Sequence, residues 1–128
     1  MKLNEILTEQ AQALYEAWRK VPEWDNYEVS DDGRVRNAKT GKEVSQWKHT
    51  GKGSTYMRVT LRQGGRRKNW RVHRLVATAF LPNRKNLPEV DHKDGDTFNN
   101  KKSNLEWVEG LENIKRRTDR HREMKKAA

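Results

Sequence analysis

EVDHKDGDTFNNKKSNLEWVEGLEN, residues 89–113, decides the fold and sits oddly in its chain. It sets seven carboxylates against three lysines, with asparagines at 99, 100, 104 and 113 and a histidine at 92, inside a 128-residue protein of formal net charge +10. EVDH (89–92) reads as a short strand, KDGDTFNNKKSN (93–104) as a polar turn-forming loop, and LEWV (105–108) alternates like a return strand. From Gly110 the pattern turns helical. Such a hairpin places Asp91 and His92 at one end, and a helix that follows it can carry Asn113 across to face them.

Outward from this island the charge changes sign. Residues 44–88 contain no acid but eleven lysines and arginines, whereas the segments on either side are nearly neutral. Like charges at that density repel, so the stretch suits a polyanionic partner, and nucleic acid is the expected one; a solvated basic surface is the alternative. Only 32% of residues are apolar and the mean hydropathy is −1.26. The core must be small, anchored by tryptophans at 18, 24, 47, 70 and 107. The length has room for one domain, or one small domain with appendages. The absence of cysteine excludes disulfides and cysteine-based zinc sites. The N-terminus lacks the apolar stretch of a secretion signal and no apolar run is long enough to span a bilayer, so a soluble, non-secreted protein with no membrane partner is expected.

Residues 3–18 fit an amphipathic helix with Leu3, Ile6, Leu7, Leu14 and Trp18 on one stripe. YEVSDDGRVRN (27–37) reads as two strands around a tight turn at Asp31-Asp32-Gly33. In YMRVTLRQGGRRKNWRVHR (56–74), Met57, Val59 and Leu61 alternate with Arg58, Thr60 and Arg62, and Gly64-Gly65 supplies the turn. One face of this two-stranded ribbon is apolar and the other arginine-rich, a shape that enters a DNA groove. HRLVATAFLP (73–82) predicts a short helix with Leu75, Val76, Ala79 and Phe80 inward, stopped by Pro82, with His73 at its start as a capping or packing residue. The tail from Asn113 carries seven bases against two acids and predicts a basic helix. HTGKGST (49–55) is not a phosphate loop, because Lys52 is followed by Gly53. DGDTFNN is not a calcium loop, because Phe98 and Asn99 fall where a ligand and a glycine are required.

The pattern DH-x2-G-x3-NN-x3-NLEWV-x3-EN, preceded by VHRLVATAF, resembles the HNH nucleases of the ββα-metal type, most closely the phage and intron homing endonucleases. Tyr27-Glu28-Val29-Ser30 and Gly33-Arg34-Val35 resemble the modular DNA-binding motif that commonly precedes the nuclease in those enzymes. The resemblance implies an α+β chain: an N-terminal helix (1–17), a small β-hairpin-rich DNA-binding region (18–72), a ββα-metal nuclease module (73–116) and a basic C-terminal helix or tail (117–128).

It further implies phosphodiester hydrolysis, leaving 5′-phosphate and 3′-hydroxyl ends, with His92 as general base and one Mg2+ or Mn2+ ion held by Asp91 and Asn113. The residue types suit that chemistry: a hard cation takes oxygen ligands, and an imidazole accepts a proton from water near neutral pH. Asn104 matches the family's central asparagine and is expected to tie the loop and orient the histidine, with Asn99 and Asn100 in support. Asn113 stands where the family name implies a histidine, and no structural zinc is expected.

Double-stranded DNA is the expected partner of a monomer working in a bacterial cytoplasm if the source is a phage. Arg58, Arg62, Arg66, Arg67, Lys68 and Arg71 of the ribbon are the DNA-binding candidates, with Arg74, Lys101, Lys102, Lys115, Arg116 and Arg117 as further ones. Two other readings stay open: an inactive HNH-derived DNA-binding protein, and a small RNA-binding protein suggested by high pI.

Overall fold

The computed structural model describes residues 17–51, 53–110, 115–116 and 118–120. The expected N-terminal helix, Asn113, Arg117 and the tail beyond residue 120 lie outside the described residues.

The first sheet joins β1 (Trp18–Val21), β2 (Trp24–Ser30) and β3 (Val35–Asn37) in that order, all antiparallel. Trp18, expected on the helical stripe, instead opens β1 opposite Ser30. A stripe that short fits either period at its end, and the free edge of β2 together with Arg36 lying 3.8 Å over the indole settles it for strand. The turn between β2 and β3 uses Gly33 at φ 95, a conformation open to glycine.

The second sheet joins β4 (Trp47–Gly51), β5 (Ser54–Gln63) and β6 (Arg66–Arg71). The expected two-stranded ribbon therefore gains a third strand. WKHTG has no apolar alternation because β4 is exposed along its whole length, so its sequence left no strand signal. The register puts Arg58, Thr60 and Arg62 opposite Arg71, Asn69 and Arg67, and Val59, Leu61 and Gln63 opposite Trp70, Lys68 and Arg66. Since directly paired residues share a face, the first set forms an outer cationic face with Trp47, His49 and Tyr56. On the opposite face Val59 and Leu61 are fully buried, whereas Arg66 and Lys68 at the ribbon tip stay exposed.

Helix α1 (Val72–Phe80) follows β6 directly and buries Val72, His73, Leu75, Val76, Ala77 and Phe80. Its apolar positions recur at helical spacing, and Pro82 follows where the helix has ended. Burial of each of its large aliphatic side chains is worth about 1.5–3 kcal/mol. The helix packs on β1, β2, β5 and β6 and on the hairpin of β7 (Glu89–His92) and β8 (Leu105–Val108). One apolar cluster consequently runs from Val21 through α1 to Val90 and Leu105. Trp107 Nε1 donates to Leu81 O at 3.0 Å and fastens the hairpin to the end of α1. Gly110, residues 115–116 and residues 118–120 are helical.

The first sheet also touches the loop that joins β7 to β8. Lys102 N donates to Asp31 O at 2.7 Å. A Cβ placed on Gly33 would stand 2.8 Å from Asn100 Cβ.

Candidate active site

The polar loop 93–104 is organised by its own side chains. Asn104 accepts from Asp94 N at 3.1 Å and donates through Nδ2 to Asp94 Oδ1 and Asn99 O, each at 2.9 Å. Asp94 also accepts from Asp96 N at 2.8 Å and Asn99 Nδ2 at 2.9 Å. Those donors, that of Asn99 foremost, hold the exposed Asp94 carboxyl below its usual range. Asn104 thus sits at the centre of the loop, and Asn99 lies within the same net. The amides of the island satisfy backbone and carboxylate groups that no apolar packing could hold.

His92, on β7 opposite Leu105, is 4% exposed, and its Nε2 lies 2.8 Å from Asn100 Oδ1. A carboxamide oxygen only accepts, so this bond puts the ring proton on Nε2 and leaves the lone pair on Nδ1. Beside it the His73 ring lies 4.7 Å away, and Tyr56 stacks on His73 at 5.0 Å. Burial pushes His92 below its ordinary pKa, while the Asn100 bond and the charges of Asp91, Asp94 and Asp96 pull the other way. His73 is pushed down to about 2, by burial first and then by His92, Arg71 and Arg74. Both rings are neutral at neutral pH.

Asp91, the strand neighbour of His92, projects to the opposite side of the hairpin and is 3% exposed. Its Oδ1 accepts from Arg120 Nη2 at 3.0 Å, and its Oδ2 lies 3.4 Å from Arg116 Nη1, which also bonds Glu106 Oε2 at 2.7 Å. Arg120 Nη1 reaches His92 O at 3.3 Å. Asp91, Lys93, Glu106, Arg116, Asp119 and Arg120 line a cleft of about 350 Å³ here. A buried carboxylate needs a counter-cation, and its oxygens suit a hard metal ion, so the chemistry of Asp91 fits a magnesium-type ligand. Among the described residues no group of three or more His, Cys, Asp or Glu gathers into a metal cage. Asn113, the second expected ligand, lies outside the described residues.

The DNA-binding candidates divide. Arg58, Arg62, Arg67 and Arg71 share the outer ribbon face, and Arg71 lies 4.9 Å over the Tyr56 ring that leads to His73 and His92. Arg66 and Lys68 share the strand face of Val59 and Leu61 but stay exposed at the ribbon tip: Arg66 donates to Glu23 O at 2.6 Å and covers Trp24, and Lys68 lies over Trp70. The ribbon tip alternates like the rest of the strand, so charge alone does not place a residue on the outer face. Arg74 donates to Pro88 O at 2.9 Å, Lys102 lies over Phe80, Lys101 and Lys115 are exposed, and Arg116 is at Asp91. Sequence reasoning left Tyr56 and Arg120 out of the site and gave His73 a local role; the i, i+4 spacing of Arg116 and Arg120 was the available signal for a shared helix face.

This arrangement, a cationic β-ribbon feeding a ββα hairpin with an Asp-His pair, coincides with two family models in tandem. The NUMOD4 motif matches residues 16–62, and the HNH endonuclease matches residues 71–114. The chain thus carries a NUMOD4 motif followed by an HNH endonuclease module. It is similar to DNA endonuclease I-HmuI of Bacillus phage SP01, 36% identical over 104 residues that span 80% of this chain and 58% of that protein. An H-N-H endonuclease of Escherichia phage T5, F-TflII, is 34% identical over 92 residues, 70% of this chain and 46% of the relative. The solved structure of I-HmuI, described as showing DNA binding and cleavage by an HNH homing endonuclease, matches with a TM-score of 0.67 and 36% identity, covering 81% of this chain and 59% of that one. The chain therefore spans less than two thirds of the length of these relatives.

Proposed function

We propose that this chain is a metal-dependent DNA endonuclease that nicks or cuts duplex DNA by hydrolysing a phosphodiester bond. The observation that carries the reading is the pair on β7: a buried neutral His92 hydrogen-bonded at one ring nitrogen, and beside it in the chain the buried Asp91 carboxylate, at the end of the cationic ribbon.

In this reading His92 takes a proton from water at Nδ1, while Nε2–H, engaged by Asn100, keeps the ring in that tautomer. Asn104 holds the loop from which Asn100 projects. Asp91 and Asn113 hold one Mg2+ or Mn2+ ion, which when bound neutralises charge on the phosphate and stabilises the departing oxygen. Arg58, Arg62, Arg67 and Arg71 lie along the DNA backbone and set its register over His92, with Lys101 and Lys115 as further phosphate contacts. Among the described residues no helix is long and apolar enough to cross a membrane.

The test is incubation of the full chain with plasmid DNA in Mg2+ and in EDTA, on a gel that separates nicked from linear product. Metal-dependent cleavage lost in Asp91→Ala, His92→Ala and Asn113→Ala is the expected result. Cleavage that survives all three substitutions overturns the assignment. Salt-sensitive duplex binding without cleavage under any divalent ion would instead mark an inactive DNA-binding derivative.

A further inference from the structure

Asp91 is already neutralised by the protein itself. A carboxylate 3% exposed costs several kcal/mol unless a cation accompanies it. Two guanidinium groups approach it, but they are not equivalent. Arg116 lies closer to Glu106, at 2.7 Å, than to Asp91, at 3.4 Å. Arg120 makes the shorter contact with Asp91, 3.0 Å to Oδ1.

Arg120 is also seated by shape. Its side chain crosses the turn at Gly95, where φ is 77 and where a Cβ would stand 2.9 Å from Arg120 Cδ and 3.2 Å from Nε. The same guanidinium reaches His92 O. The seat thus has a carboxylate at one end, a carbonyl at its side and a floor that only glycine leaves open. The side chain keeps 29% of its surface in solvent, so it has a way out.

We propose that Arg120 is a built-in competitor of the catalytic cation: its guanidinium holds Asp91 Oδ1, the oxygen a divalent ion would take, and must leave that oxygen for the ion to bind. The inference rests on the reading of Asp91 as a metal ligand. A guanidinium and a divalent ion on one carboxylate oxygen compete for the same lone pairs and repel each other. Arg120 therefore sets the metal affinity of the free protein and keeps the Asp91 side of the hairpin closed until a metal ion arrives.

The measurement is Mn2+ binding to the full chain without DNA, followed by the electron paramagnetic resonance signal of free Mn2+. Replacing Arg120 by Gln removes a charge-assisted hydrogen bond to Asp91 and is expected to tighten Mn2+ binding about tenfold. Arg120→Lys, which keeps the charge but loses the fork, is expected to fall between wild type and Arg120→Gln. Asp91→Ala is expected to lose the site. If Arg120→Gln and Arg120→Lys bind Mn2+ no better than wild type while Asp91→Ala loses it, the competition is overturned and the ligand assignment survives. If Asp91→Ala binds Mn2+ as wild type does, both fail. A residue that merely braced the fold would not make metal binding tighter on removal.

Discussion

Gly33→Ala tests whether the first sheet sets the geometry of the histidine. The new methyl would stand 2.8 Å from Asn100 Cβ, where unstrained carbon atoms keep about 3.5–4.0 Å. Asn100 or the turn must move by about 1 Å. The backbone at φ 95 adds its own cost: about 1–2 kcal/mol for a side chain on the left-handed side, beside about 1–3 kcal/mol for overpacking. Summed, Gly33→Ala lowers stability by about 2–5 kcal/mol. Asn100 carries the oxygen bonded to His92 Nε2, so a shift of that size is expected to slow DNA nicking about 100-fold. Gly41 supplies the control, since its φ is 74 but nothing lies within 4 Å of an added Cβ. Gly41→Ala should cost only the backbone part, about 1–2 kcal/mol, and leave the rate alone. Urea unfolding and single-turnover nicking on a defined duplex read the two quantities. Equal losses of stability in the two variants, with unchanged nicking in Gly33→Ala, would refute the coupling.

Three other outcomes follow from the geometry. Asn100→Ala should reduce single-turnover nicking about 10–100-fold while duplex affinity, read by a filter-binding titration, stays as it was. His73 has its folded pKa depressed to about 2 from the usual 6.5, so the stability it contributes is present above pH 6.5 and is lost as pH falls towards 2. Between pH 7 and pH 5 that loss is about 2 kcal/mol. His73→Phe, which keeps a ring against Tyr56, should flatten the pH dependence of chemical unfolding by that amount; an unaltered slope would contradict a neutral buried His73. Arg62→Ala and Arg67→Ala should each reduce the slope of log affinity for duplex DNA against log salt by about 1, whereas Arg66→Ala, whose guanidinium is bonded to Glu23 O on the other strand face, should leave the slope and lower stability instead.

Most of the hairpin and α1 could be read from the sequence because periodicity and turn residues agreed there: EVDH, LEWV and VHRLVATAF each carried a clear local signal. β4 was invisible because an exposed edge strand needs no apolar residue, and Trp18 was ambiguous because its partner β2 lies outside the local window. Family spacing brought out Asp91, His92 and Asn104, but no spacing rule joins Tyr56 to His73 and His92 or Gly33 to Asn100. Those are contacts between elements, and they follow from how α1 gathers both sheets. The contacts of Arg66 with Glu23 O and Trp24 and of Lys68 with Trp70 have the same origin, since a basic tip hides which face a strand register will choose.

Because the Asp31–Gly33 turn lies directly beneath the loop bearing Asn100, and α1 belongs to one core with both sheets, the sheets and the Asp91–His92 hairpin cannot be exchanged as independent cassettes. A chimera that borrows residues 18–71 from another protein inherits a new floor under His92. Exchanging the ribbon without disturbing His92 therefore calls for changes confined to its outer face, or for a donor whose turn also leaves the space that Gly33 leaves here.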